Sequence, residues 1–206
     1  KLEPFDPIII KGNVRHLRPT LFDLLAHRAL DYFRNDEQDL NKPSYAFELD
    51  QASTFDAAAD FINRKFPTKD SLSLHHEALL LYQRLIAFHL NDKKPDALID
   101  ADIDRLAFVH QYAVMDNKEE LYKNALTHIG QQYENHPAAA QAWYLLAQWH
   151  SEKAGEEITY DGYSKAKEIC DKIIAQKDSS EGKINAQNLL NSILKKQLNH
   201  KTEKVN

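Results

Sequence analysis

The chain has 206 residues, of which 43% are hydrophobic and 28% are charged, and its formal net charge is −5. The charged fraction predicts a well-solvated surface, and the mixture of signs argues against the basic surface that nucleic acids and anionic membranes attract. Five glycines and four valines speak against an all-β chain, and no apolar run approaches the roughly 20 residues that cross a bilayer.

One cysteine and the first residue of the chain bear on its origin. The single Cys170 excludes an internal disulfide and leaves the redox compartment open. Because the chain begins at Lys1 without an initiating methionine or a signal-peptide pattern, we expect a processed chain or a part of a longer one.

Residues 1–50 predict one helix with extended flanks. The apolar run 8–10 is too short for a helix and indicates an extended segment. Thr20 and Asp23 resemble a capping box at the start of the helix, and 44–50 alternates in a way that favours extended chain. The predicted apolar face of the helix comprises Phe22, Leu25, Ala26, Ala29 and Phe33.

The central part of the chain predicts three more helices. The first begins at Ser53, is stopped by Pro67 and carries an apolar stripe. The second runs from about residue 73 to 90 and is apolar on nearly every side, which predicts neighbours on both flanks. The third begins near Pro95 and runs to about Met115. The stripe of the first helix comprises Phe55, Ala58, Ala59, Ile62 and Phe66.

The stretch 119–150 carries the pattern of a helical hairpin repeat, with helices at about 118–135 and 139–152. Ala125, Ile129 and Pro137 fit the small, bulky and stop positions of the second helix of a tetratricopeptide unit. The next helix then matches W-x2-L-G-x2-Y with alanine for glycine and histidine for tyrosine, at Trp143, Leu146, Ala147 and His150.

After this pair, Ala166 takes the position that Ala125 held, so the connection 151–161 is longer than the usual turn by about seven residues. Two further helices and a polar tail over 200–206 follow. The predicted fold is all-α, with antiparallel helical hairpins stacked as a tetratricopeptide-like right-handed solenoid. It forms a single domain over 1–206, with the hairpin repeats in 53–199.

Sequence motifs of catalysis and metal binding are incomplete or missing. Asp100, Asp102 and Asp104 begin like a calcium loop, but Arg105 replaces its glycine and Gln111 its bidentate glutamate. We therefore interpret the three aspartates as a solvated helix face. No two histidines have the H-x3-H spacing, no G-x-S-x-G or phosphate loop occurs, and Cys170 lies on an apolar stripe typical of a core. The prediction is a non-enzyme without metal or cofactor.

A stack of hairpins would present a groove lined by side chains that lie off the packing stripe. Amide and aromatic groups there could hold an extended peptide, although Tyr144 and Val114 could instead pack on neighbouring helices. Trp149 is either an anchor for a partner or a core residue. The predicted groove residues are His110, Val114, Gln141, Tyr144 and Gln148.

The long connection is the second candidate contact surface, since loops longer than their architecture needs are often functional. Its candidate residues are Tyr160 and Asp161, near Glu156, Glu157 and Tyr163.

Three segments of the N-terminal third add a family resemblance. They read LRPTLFDLLAHRALDYF (17–33), PSYAFELD (43–50) and FDAAADF (55–61). They resemble the region ahead of the macroglobulin domains in large bacterial alpha-2-macroglobulin family proteins, above all those of Bacteroides-like bacteria. The resemblance is best over 17–61 and looser further on.

The resemblance implies a much longer parent chain that is secreted, periplasmic or attached to the outer envelope. Family members trap proteases through a bait region and often a Cys–Gln thioester. Cys170 is followed by Asp171 and Lys172, so the C-x-E-Q thioester motif is missing and no trapping residue carries over. This chain would then be an accessory helical module of a protease-inhibitor family protein.

Three functions follow from the sequence. The first is a non-catalytic interaction module that contacts a protein, a peptide or other domains of the same parent chain. The second is a free-standing tetratricopeptide scaffold for a peptide or protein. The third is a helical protein that binds a glycan or another ligand through Trp149 and Tyr160. None involves nucleic acid or direct membrane insertion.

Overall fold

A computed structural model describes residues 15–35, 43–134, 136–156 and 160–203, together with Pro4 and Gly12, and side chains as far as Lys195. Within these residues every regular element is a helix, which confirms the all-α prediction. The helices are α1 Leu21–Phe33, α2 Ala58–Phe61, α3 Leu74–His89, α4 Asp96–Tyr112, α5 Lys118–Gln132, α6 Ala140–Glu156, α7 Gly162–Ile174 and α8 Glu181–Glu203.

Some predictions concern residues outside this description. They include the extended segment 8–10, residue 157 of the long connection and the tail 204–206. Residues 200–203, which the sequence assigns to the tail, continue α8 as helix.

The chain divides into two compact units, 1–122 and 123–206. The sequence, in contrast, predicts one continuous domain. The division falls within α5, so α1–α4 belong to the first unit and α6–α8 to the second. Each unit has a core of its own.

Helix α3 is the centre of the first unit, with α1 and α4 packed against it. Its Ser73 side chain accepts a hydrogen bond from the His76 N–H and caps the helix. The predicted neighbours on both flanks of this apolar helix are confirmed. Its fully buried residues include Ala78, Leu79, Tyr82, Leu85 and Ile86, and Leu30 of α1 and Leu106, Phe108 and Val109 of α4 are buried as well.

The capping box at the start of α1 is confirmed, but the predicted apolar face is partly wrong. The Thr20 hydroxyl accepts from the Asp23 N–H at 3.3 Å, and the Asp23 carboxylate accepts from the Thr20 N–H at 2.7 Å. Leu25, however, is 59% exposed, whereas Asp23 and His27 are buried. Hydrophobicity alone misplaces the face because these buried polar groups have charged partners inside the unit.

The helix predicted from Ser53 to Pro67 is wrong. A 3-10 turn over Ala52–Phe55 is followed by extended backbone at Asp56 and Ala57 and then by the single turn of α2. The physical reason lies in α4, where the Arg105 guanidinium donates to the Thr54 carbonyl at 2.5 Å and to the Asp56 carbonyl at 3.0 Å. Because these carbonyl oxygens accept hydrogen bonds from the buried guanidinium, they do not accept the backbone N–H hydrogen bonds of a continuous helix.

The extended segment predicted over 44–50 contains one isolated pairing and no described strand. Leu49 forms a parallel bridge with Ala113, and the Val114 N–H donates to the Leu49 carbonyl at 3.2 Å. The bridge fixes this segment against the end of α4.

In the second unit, α6, α7 and α8 each pack against the other two. Ala147 and Ala166 are fully buried, as the repeat pattern requires, whereas Ala125 is only half-buried. Gly130 of α5 lies against α6, since an added Cβ there would lie 2.3 Å from the Trp143 ring. Cys170 is completely buried, which confirms its prediction as a core residue.

Candidate binding cleft

The predicted groove residues fall into both units. His110 lies in the first unit, where its Nε2 is 3.1 Å from a Glu119 carboxylate oxygen and its ring stacks on Tyr122 with centroids 4.1 Å apart. Val114 follows α4 and is 58% exposed. The other three residues lie on α6 in the second unit.

Between α6 and α8 the second unit has a cleft with a volume of about 360 Å³. Two of the predicted groove residues, Tyr144 and Gln148, line it. Gln141 lies on the same seam, where its side-chain oxygen accepts from the Asn185 amide at 3.2 Å. The lining comprises Tyr144, Gln148, Ser151, Glu152, Asn185, Asn188, Leu189 and Ser192.

Helical spacing explains why these polar residues share one cleft. Positions 141, 144 and 148 on α6 are three or four residues apart and so lie on one side of the helix. On α8, positions 185, 188, 189 and 192 repeat this spacing. The adjacent face of α8 is apolar, with Ala186, Leu190 and Ile193 buried in the core of the unit.

Gly182 brings the two helices together at one end of this seam. A Cβ at this position would lie 2.3 Å from the carbonyl carbon of Ala140 and 2.4 Å from the Gln141 nitrogen. Only a residue without a side chain permits this approach of α8 to the first turn of α6.

The cleft is polar, with one charged group among its described lining residues. The Glu152 carboxylate accepts from the Gln148 amide at 2.8 Å. Burial raises the pKa of Tyr144, and Glu152 and Cys170 raise it further, so the phenol stays neutral and can donate a hydrogen bond. Amides that donate and accept at once, beside a phenol and two hydroxyls, match the hydrogen-bonding groups of a peptide backbone.

The residues predicted in the long connection have different surroundings. Tyr160 is held to α6 by a hydrogen bond between its hydroxyl and His150 Nδ1, with the two atoms 2.5 Å apart. Asp161 is exposed at the start of α7, and its side chain makes no capping hydrogen bond there. Because α6 continues to Glu156, the connection is shorter than the sequence predicts.

The interpretation of the three aspartates of α4 as a solvated face is wrong. Each carboxylate faces a different cation, Asp100 with Arg18 at 3.4 Å, Asp102 with Arg105 at 2.6 Å and Asp104 with Arg34 at 2.7 Å. Asp102 is only 5% exposed. The spacing of Asp102 and Arg105, three residues apart on a helix, was the sequence signal that could have indicated this pair.

A second buried polar site in the first unit gave no sequence signal. His89, at the end of α3, has Nε2 at 2.5 Å from Asp23 and Nδ1 at 2.7 Å from Asp92. Desolvation lowers the pKa of His89, but the two carboxylates outweigh it and raise the pKa above its ordinary value. With both ring nitrogens beside carboxylates, this side chain joins α1 to α3 and offers no free nitrogen for acid–base chemistry.

In the described part of the chain, no group of three His, Cys, Asp or Glu side chains is arranged to hold a metal ion. No helix in the same residues combines the length and apolarity of a membrane span. Comparisons with protein-family models, with characterised proteins and with solved structures gave no match to this chain.

Proposed function

We propose that the chain is a non-catalytic helical interaction module that holds an extended protein segment in the cleft between α6 and α8. The observation that supports it most is the amide-rich lining. Gln148, Asn185 and Asn188 present donors and acceptors from both helices to the same space. Such groups pair with the N–H and C=O groups of an extended peptide without demanding one sequence.

The way in which the helices stack is also part of this proposal. A tetratricopeptide-like right-handed stack is supported by the buried Ala147 and Ala166 and by the close packing of Trp143 on Gly130. The mutual packing of α6, α7 and α8 is also compatible with it. In such a stack the small residues let neighbouring helices approach.

The wider context is proposed from the N-terminal resemblance alone. The segments in 17–61 support an accessory module of a large alpha-2-macroglobulin-like protein that is periplasmic, attached to the outer envelope or secreted. The partner is then another domain of the parent chain or a neighbouring envelope protein. The alternative is a free-standing scaffold, for which the same cleft would serve.

The cleft can be tested by substitution and cross-linking. A photo-reactive amino acid at position 188, on the exposed rim, should cross-link a defined partner in cells of the source organism. Replacing Tyr144 and Gln148 with alanine should reduce this product at least tenfold, because the variant loses two lining groups. Circular dichroism and the unfolding midpoint check that the fold remains.

A matched control comes from the same helix. Gln187 is exposed on α8 and bonds to Asn191 outside the cleft, so a photo-reactive group there should give no such product. The single variant Gln148→Ala avoids disturbing the half-buried Tyr144. Equal cross-linking from positions 187 and 188, or a product that persists in both variants, contradicts the proposal.

A further inference from the structure

The charged side chain in the cleft between α6 and α8 is not neutralised by any cation among the described residues. The Glu152 carboxylate accepts a hydrogen bond from the neutral Gln148 amide at 2.8 Å and forms no ion pair with a described lysine, arginine or histidine. The other carboxylates of α6 and α7 do form such pairs, at distances between 2.6 and 2.8 Å. They are Glu156 with Lys153, Glu168 with Lys172 and Asp171 with Lys167.

The charge of Glu152 acts inside the cleft. Glu152 is one of the residues that line this space of about 360 Å³. Burial raises the pKa of Tyr144, a second lining residue, and the negative charge of Glu152 raises it further. A carboxylate has about four acceptor positions, of which the Gln148 amide occupies one. The carboxylate can therefore accept further hydrogen bonds from a bound molecule.

The rest of the described lining is neutral and mostly polar. Leu189 is its one aliphatic side chain, so the lining offers little surface to a large apolar side chain. The amides of Asn185 and Asn188 both donate and accept, as a peptide backbone does. An ionised carboxylate only accepts, and it makes its strongest hydrogen bonds with charged donors. Glu152 therefore favours a cation where the other lining residues favour an uncharged backbone.

We propose that the segment held in the cleft carries a lysine or arginine whose cationic group binds the Glu152 carboxylate. This inference rests on the proposed peptide-binding function of the cleft and adds the residue that selects among segments. An acidic side chain at the same place would be repelled by the unpaired carboxylate. Because Glu152 is exposed, the ion pair is of the surface kind and selects between segments rather than providing most of the affinity.

The probe is a positional-scanning library of octapeptides with acetylated N-termini and amidated C-termini, applied to the full chain. Blocked termini leave the side chains as the only charges of the peptides. At one position, the retained peptides should be enriched in lysine and arginine over glutamine and norleucine by about threefold, as expected for an exposed ion pair. The enrichment should decrease at about 0.5 M salt, because salt screens such a pair.

Variants of two glutamates on α6 separate a local contact from an effect of net charge. Glu152→Gln should abolish the enrichment in basic residues while peptides are still retained. Glu152→Lys should reverse it, so that aspartate and glutamate are enriched instead. Glu156→Gln removes the same charge one turn further along α6, outside the described lining, and should leave the enrichment unchanged.

The possible failures of the two proposals can be told apart. If peptides are retained without a preference for basic residues, or if the preference survives in Glu152→Gln, this inference is wrong and the cleft remains a peptide site. An equal loss of the preference in Glu156→Gln also overturns it, since the effect would then come from net charge. If a protein that is folded by circular dichroism retains no peptide at all, the proposed function is wrong and this inference with it.

Discussion

Arg105 shows how one buried side chain determines the path of a distant segment. Its guanidinium is 1% exposed, donates to Asp102 and to the carbonyls of Thr54 and Asp56, and lies 4.3 Å from the centre of the Phe61 ring. A planar group with five donors can satisfy all these partners at once, which a lysine cannot. The irregular segment 52–61 therefore depends on a residue about fifty positions away.

Replacing Arg105 with methionine should destabilise the first unit by about 3–5 kcal/mol, because it leaves a buried carboxylate without its cation. Chemical unfolding followed by circular dichroism measures the change. Arg64→Met is the control, since Arg64 is half-exposed, pairs with Asp56 at 2.6 Å and should cost no more than about 1 kcal/mol. If the two variants are equally stable, Arg105 does not organise this segment.

His89 makes the stability of the first unit depend on pH. The pKa of His89 in the folded state is raised above 6.5. Its contribution to folding stability is therefore complete below pH 6.5 and is lost as the pH rises through the folded-state pKa. The pKa of its partner Asp23 is lowered from 3.8, because hydrogen bonds from His89 and Thr20 outweigh desolvation. The contribution of Asp23 to folding stability is present above pH 3.8 and is lost as the pH falls through its folded-state pKa.

We therefore expect the difference in unfolding free energy between the unchanged protein and His89→Gln to be largest between about pH 4 and 6.5. It should shrink on both sides of this window, as urea titrations at a series of pH values would show. Protonation of His27 has the opposite effect on the free energy of unfolding, because burial lowers the pKa of His27. Its replacement with glutamine should become relatively more favourable below pH 6.5. A difference for His89→Gln that stays constant from pH 5 to 9 contradicts the ion pair.

At the scale of elements, two glycines of the second unit have different surroundings. Gly182 opens α8 against the backbone of Ala140, with no room for a Cβ. Gly155 lies near the end of α6 and is exposed, and among the described residues an added Cβ would meet only the Tyr163 hydroxyl at 3.6 Å. Backbone atoms cannot move aside as the end of a flexible side chain can.

Gly182→Ala should lower the unfolding free energy by about 1–3 kcal/mol through overpacking, which exceeds the helix-propensity gain of at most about 1 kcal/mol. Gly155→Ala should instead leave stability unchanged or raise it by up to about 1 kcal/mol. Urea unfolding midpoints compare the two variants directly. Equal stability of the pair would show that α8 does not pack on α6 as closely as described.

At the scale of the whole molecule, the chain holds two cores rather than one. In the first, aromatic and aliphatic residues surround charged pairs, including His89 with Asp23 and Arg105 with Asp102. In the second, small residues such as Ala147, Ala166 and Cys170 let three helices pack together. The proposed binding cleft lies on the second unit.

The proposed parent chain makes a prediction about the native protein. An antibody against this chain should detect, in extracts of the source cells, a species much larger than the 23.8 kDa of these 206 residues. A protease inhibitor cocktail during lysis controls for breakdown. A single native species near 23.8 kDa would remove the parent-chain proposal and leave the free-standing scaffold.

The sequence by itself determined where most helices of the described chain lie. Helix boundaries depend on local effects, namely the capping hydrogen bonds of Thr20 and Ser73 and the ring geometry of Pro95 and Pro137. The neighbouring residues in the sequence therefore suffice to predict these boundaries. The buried positions of Ala147, Ala166 and Cys170 follow from helical periodicity. Tyr144 and Gln148 were placed toward the cleft by the same periodicity.

Only the tertiary structure decided where charges are buried and where the chain departs from a helix. The ion pair of His89 with Asp23 joins residues 66 positions apart, and the donation from Arg105 to Thr54 spans 51. Such contacts depend on which faces meet after folding, so no local pattern reports them. A buried charge is stable only beside its partner, and that partner is chosen by packing rather than by neighbouring sequence.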